Sequence, residues 1–115
     1  MKQFRKIVNT SPVCLTLLLF LLISCQNEKE FIDDPRAGDI YLFEASDTYF
    51  PVRVDFIEEE YIYCNNSLYV FEDGLPEAED MPADEFDYAF HHIYEKSEIQ
   101  NLYEEKKIVK VYRVN

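Results

Sequence analysis

Polar and apolar residues alternate over much of the chain beyond residue 38, and this pattern predicts β-strands. In Tyr49–Ile57, apolar residues occupy every second position from Phe50 to Phe56, and Arg53 and Asp55 lie between them. Because side chains on a strand alternate between the two faces of a sheet, we expect Phe56 to be buried and Asp55 to be exposed. The other segments that favour strands are Asp39–Phe43, Tyr61–Cys64, Ser67–Phe71, Phe86–Tyr94 and Ile108–Val114.

The connections between these segments carry turn and helix signals. Asn65-Asn66 tolerates positive φ and predicts a turn between two strands, whereas Ser97-Glu98-Ile99-Gln100 has the form of a helix capping box. We therefore predict a short helix over Ser97–Lys106. In Phe86–Tyr94 the alternation of polar and apolar residues is irregular, so a helix remains an alternative to a strand there. The predicted fold is mainly β (α+β): a small bent antiparallel sheet or an SH3-like barrel with one short C-terminal helix.

Residues 72–87 differ from the rest, with eight acidic residues, two prolines and no basic residue. Such a composition predicts a solvated loop, and its few apolar side chains suggest that removing Asp73–Asp84 would leave the fold intact. Carboxylates are ligands for calcium, but Glu72-Asp73-Gly74 lacks the D-x-[DN]-x-[DN]-G order of a calcium loop. We interpret the segment as an acidic loop, and calcium binding remains an open alternative.

The N-terminal residues have the three parts of a secretion signal. Lys2, Arg5 and Lys6 form a basic start, and Val13–Ile23 forms an apolar run. This run is shorter than the roughly 20 apolar residues that a transmembrane helix needs. We interpret residues 1–24 as a signal peptide.

Leu22-Ile23-Ser24-Cys25 resembles the lipobox of bacterial lipoprotein precursors, with an aliphatic residue three before the cysteine and a small residue just before it. The resemblance implies cleavage between Ser24 and Cys25 and covalent attachment of lipid, such as palmitate, to Cys25. Two or three acyl chains make a durable membrane tether, whereas one holds only marginally. We expect a protein of the cell envelope, anchored by lipid at the outer membrane on its periplasmic face or at the cell surface, with the inner membrane as the alternative.

Removal of the signal leaves 91 of the 115 residues, enough for one small domain. We predict an acidic tether over residues 25–37 and a single β-rich domain over residues 38–115. The signal contains three basic and no acidic residues, so its loss takes the formal charge from −12 to −15. A chain with this much negative charge is expected to repel nucleic acid and to favour a basic protein partner.

The cysteines and histidines offer little chemistry. Cys14 leaves with the signal and Cys25 carries lipid, so Cys64 has no disulfide partner and is expected to be a buried apolar side chain. His91 and His92 are neighbours, and neighbouring residues on a strand point to opposite faces and cannot chelate one ion. We therefore predict no metal site, no cofactor apart from the covalent lipid, and no catalytic residue, hence a protein that is not an enzyme.

Four of the nine tyrosines suggest a binding surface. Tyr41, Tyr61, Tyr63 and Tyr69 alternate with aliphatic residues in predicted strands, and a row of exposed tyrosines would suit a protein partner. We therefore interpret the chain as a lipid-anchored, protein-binding module, with no strong sign of a homo-oligomer. One alternative is an immunity protein that neutralises a basic secreted toxin; a less supported one is an envelope enzyme or metal-dependent accessory factor.

Overall fold

Five antiparallel strands form one unclosed sheet in the order β4-β3-β2-β1-β5. The structure is a computed structural model, and it describes residues 28–81 and 84–113. The elements are α1 (residues 28–33), β1 (Ile40–Ala45), β2 (Thr48–Glu58), β3 (Tyr61–Asn66), a 3-10 turn (Ala78–Asp80), β4 (His92–Glu95), α2 (Lys96–Glu104) and β5 (Ile108–Tyr112). The mainly β fold with a short C-terminal helix is thereby confirmed, and the architecture is the open sheet rather than the barrel.

The chain divides into two units, Met1–Glu30 and Phe31–Asn115. Of the first unit the structure describes only residues 28–30, which are helical. The predicted signal peptide and its cleavage site at Ser24 and Cys25 lie outside the described residues. None of the helices in the described part of the chain is long and apolar enough to span a membrane.

The first three strands form a meander whose turns differ from those expected. Ser46 and Asp47 both have positive φ, as the two central residues of a tight hairpin turn require, and they join β1 to β2. Asn65-Asn66 is not a turn, because both residues extend β3 along the eleven-residue β2. The predicted strand Ser67–Phe71 forms only isolated bridges, one at each end.

A bulge in β2 changes which side chains are buried. The register between β2 and β3 shifts between Val54 and Phe56, which leaves Asp55 as an extra residue. Beyond the bulge, Ile57 packs against the core and Phe56 is 40% exposed on the opposite face. The prediction that Phe56 is buried is therefore wrong, because one added residue inverts the alternation.

One face of the sheet packs against both helices. Ile99 of α2 is fully buried there, and Ile32 of α1 is 2% exposed. The other buried members of this core are Tyr41, Phe43, Val52, Val54, Ile62, Cys64, Ile108 and Val111. Burial of Ile32 shortens the predicted tether, since residues 31–37 belong to the domain and are not a free linker.

Cys64 lies in this core as a free thiol with no exposed surface, as predicted. Burial, with a smaller contribution from the nearby Asp55 carboxylate, raises the pKa of the Cys64 thiol to about 12. The neutral thiol therefore acts as a small apolar side chain.

The acidic loop covers part of the opposite face and supplies core residues. Met81 is 6% exposed and Phe86 is 3% exposed, and both belong with Leu42 of β1 to a second buried cluster. The hydroxyl of Tyr112 in β5 donates a hydrogen bond to the carbonyl of Pro76 over 2.6 Å. Removal of Asp73–Asp84 would delete Met81 and the Pro76 carbonyl from this contact, and the tolerance of the fold to that removal stays a prediction.

Helix α2 begins one residue earlier than predicted and uses a different capping box. Glu95 is the N-cap, its side chain accepts from the backbone of Glu98, and the Glu98 side chain accepts from the Glu95 N–H over 3.0 Å. β4 pairs with β3 as far as Glu95, so the chain can only begin its helix at Lys96. Ser97 therefore lies inside the first turn instead of capping it.

A buried ion pair connects the end of β5 to the start of β1. The guanidinium of Arg113 donates to both carboxylate oxygens of Asp39 over 2.8 and 2.7 Å, and the two side chains are 11% and 1% exposed. Arg113 also donates to the Asp34 carbonyl and lies 4.1 Å from the ring centre of Phe31. The Arg36 N–H donates to the same Asp39 carboxylate, so one pair holds three segments together.

We predict that Arg113→Leu lowers the free energy of unfolding by about 3 kcal/mol, because it leaves the buried Asp39 carboxylate without its cation. Arg36→Leu is the matched control, since its side chain pairs with Asp34 only at the exposed surface. We expect that control to change stability by less than about 0.5 kcal/mol. Urea unfolding followed by circular dichroism measures both, and equal losses in the two variants would contradict the prediction.

Candidate binding surface

The half of the sheet formed by β2, β3 and β4 has one face that the helices do not cover. On this face, Phe56, Tyr63 and Ile93 are direct cross-strand neighbours. Phe56 is 40% exposed, Ile93 is 49% exposed and Tyr63 is half-buried between them. We call these three residues the aromatic row.

A second row lies beside the first, nearer the β2–β3 turn. It consists of Glu58, Tyr61 and Glu95, which are paired across the same three strands. Tyr61 is 45% exposed, and both glutamates are exposed. We call these residues the acidic row, and together the two rows form a continuous surface on one face of the sheet.

The bulge at Asp55 organises the aromatic row. The rings of Phe56 and Tyr63 are stacked with centroids 4.3 Å apart, and the imidazole of His91 meets both edge-on at 5.3 and 5.9 Å. His91 Nε2 donates to Asp55 Oδ2 over 2.8 Å, and Arg53 Nη1 lies 3.8 Å from Asp55 Oδ1. The carboxylate on the bulge therefore fixes the histidine against the two rings.

Asn65 holds the loop that borders this surface. Its fully buried side-chain amide donates to the carbonyls of Asp87 and Phe90 over 3.2 and 3.1 Å. The loop presents Tyr88 and Phe90, which are 43% and 60% exposed. The sequence analysis assigned Asn65 to a turn and therefore missed its role. The available signal was that Asn65 continues the strand alternation, two residues after Tyr63, with a polar side chain.

The four tyrosines predicted to form a surface do not share one. Tyr61 and Tyr63 lie together on the exposed face, whereas Tyr41 has no exposed surface and lies in the core under the helices. Tyr69 packs edge-on against Phe71 in the second cluster, and burial raises its pKa to about 12. Tyr41 and Tyr69 are therefore removed from the candidate surface, because strand alternation does not show which face of a sheet is covered.

The histidines lie on opposite faces of the β4 segment. His92 stacks on Tyr94 with ring centroids 4.8 Å apart, away from the aromatic row that His91 contacts. Among residues 28–81 and 84–113, no three His, Cys, Asp or Glu side chains are grouped closely enough to hold a metal ion. In the acidic loop, Glu72, Asp73 and Asp80 border an open groove of about 450 Å³.

Comparisons with protein-family models, with characterised proteins and with solved structures find no match. The features that bear on function are those of the surface itself. Phe56, Tyr61 and Ile93 are exposed together on one half of the sheet, bordered by acidic residues and by a loop that Asn65 fixes in place, while Leu68, Val70 and Leu75 are exposed in the segment after β3.

We predict that Asn65→Asp destabilises the protein by about 2 kcal/mol and loosens the loop, because a carboxylate would face two carbonyl oxygens in place of an N–H donor. Asn66→Asp is the matched control, since the Asn66 side chain is exposed. Urea unfolding and amide hydrogen exchange of Tyr88–His91 report the two effects. Exchange as slow in Asn65→Asp as in the control would refute the positioning role.

Proposed function

We propose that this protein is a lipid-anchored module of the outer membrane, in the cell envelope, that binds another protein through the aromatic and acidic rows. The observation that carries the proposal is the concentration of Phe56, Tyr61 and Ile93, each at least 40% exposed, on one uncovered sheet face. Exposed apolar patches of this kind are typical of protein interfaces. The sheet beneath holds the side chains in place, so little conformational entropy is lost on binding.

The proposed role is binding rather than catalysis. The imidazole of His91, which borders the surface, is bonded to Asp55 and packed against two rings. In the described part of the chain, no serine, threonine or cysteine forms a hydrogen bond with His91. A histidine held in this way supports the shape of an interface without activating a nucleophile.

Charge favours a basic partner. After loss of the signal, which contains three basic and no acidic residues, the formal charge moves from −12 to −15. Opposite charge speeds encounter and disfavours acidic competitors, so a basic partner would associate quickly. The acidic row beside exposed aromatic side chains also favours the more specific alternative of an immunity protein that neutralises a basic secreted toxin.

We predict that Cys25→Ser abolishes incorporation of labelled palmitate and leaves the precursor either uncut or released from the membrane fraction, because a hydroxyl cannot form the thioether with which lipobox processing begins. Cys64→Ser is the control, and it should keep both label and membrane attachment, since Cys64 is buried in the core. A Cys25→Ser protein that still incorporated palmitate would overturn the anchoring proposal.

We predict that a photo-crosslinking benzoyl-phenylalanine in place of Tyr61 captures one specific basic protein in intact cells. The same group in place of Asn101, an exposed residue of α2, should not capture it. Ile93→Asp should abolish the adduct, because a charge at a 49% exposed position of the aromatic row opposes an apolar contact. Identical adducts from the two positions, or an adduct that survives Ile93→Asp, would contradict the proposed surface.

A further inference from the structure

We propose that the acidic row is a subsite for one basic side chain of the partner, and that the aromatic row receives an apolar side chain about two strand residues away. This inference rests on the proposed function and specifies the chemistry that the surface recognises. The occupant is a segment of a basic protein that carries an arginine or lysine beside an apolar residue.

The geometry of the acidic row suits a cation. Cross-strand pairing places Glu58 and Glu95 on either side of Tyr61, and neighbouring strands lie about 4.8 Å apart, so the two glutamates flank the tyrosine over roughly 10 Å. A guanidinium or ammonium group over the Tyr61 ring would lie within reach of both carboxylates. The ring would add a cation–π contact that an acidic or neutral side chain cannot make.

The negative charge of this row has no ion-pair partner among the residues that the structure describes. Among residues 28–81 and 84–113, neither Glu58 nor Glu95 forms an ion pair. Glu95 uses its side chain to accept from the first turn of α2, which fixes its position but leaves its charge. The arginine of β2, Arg53, pairs with Asp55 and not with this row, so a cation from the partner is the available complement.

The distance between the rows sets the spacing in the partner. Phe56 and Glu58, Tyr63 and Tyr61, and Ile93 and Glu95 are each two residues apart on one strand and therefore on one face. Two residues of a strand span about 7 Å. An extended segment with a basic and an apolar residue separated by one residue would place one side chain on each row.

The test uses two synthetic peptides that differ only in the charge of one residue. One contains Arg-Thr-Leu at its centre, and the other has citrulline, which is neutral and of nearly the same shape, in place of arginine. Binding to the isotopically labelled protein, purified from membranes in detergent, is followed by nuclear magnetic resonance. We expect roughly tenfold tighter binding of the arginine peptide, from the cation–π contact and two exposed ion pairs together.

Two pairs of substitutions test whether Glu58 and Glu95 cause the preference for the arginine peptide. In Glu58→Gln with Glu95→Gln, the preference for arginine should disappear, and glutamine at position 95 can still accept from the helix N-terminus. Glu44→Gln with Glu104→Gln removes the same charge from two exposed residues elsewhere, and the preference should remain. High salt should weaken the arginine peptide more than the citrulline peptide.

Equal binding of the two peptides, or equal loss of the preference in both variant pairs, would overturn the inference. If neither peptide changes the resonance frequencies of residues in the two rows, the inference is overturned as well. These outcomes would leave the proposed function standing. The crosslinking experiment at position 61 tests protein binding in cells, and its result does not depend on how the arginine peptide binds. Absence of an adduct in that experiment would instead refute the protein-binding role itself.

Discussion

The register of β2 against β3 decides which side chains of this protein reach solvent. With Asp55 as an extra residue, Val52, Val54 and Ile57 face the helices, and Phe56 is turned to the opposite face. Without the bulge, Phe56 would enter the core and Ile57 would be exposed, because a shift of one residue inverts every later position of a strand. The stacked rings, the histidine that packs against them and the two rows all follow from this one irregularity.

A second constraint is the amount of chain available to cover a five-stranded sheet. The two helices cover one face, and the acidic segment covers the opposite face over β1 and β5 by contributing Met81 and Phe86. No described element covers that face where β2, β3 and β4 carry the two rows, so Phe56, Tyr61 and Ile93 remain exposed there. The candidate binding surface is therefore the part of the sheet that the described fold leaves open.

The surface combines features that serve recognition better than stability. Exposed aromatic side chains and unneutralised carboxylates contribute little to the core, where the buried Asp39–Arg113 pair and the apolar clusters hold the fold. Because they lie together on one face, they would offer a protein partner both an apolar area and a negative charge at a defined position. A lipid tether at Cys25 would keep such a surface close to the membrane and raise the local concentration of its partners.

The sequence by itself determined the class of fold, the identity of most strands, the C-terminal helix and the burial of Cys64, because these follow from local periodicity and composition. Tertiary structure decided the outcome for Phe56, Tyr41 and Asn65. A bulge, the choice of which sheet face is covered, and a buried amide that bonds to a distant loop all depend on residues far apart in the chain. Alternation shows that a strand has two faces, but only packing against other elements determines which face becomes core and which remains available for binding.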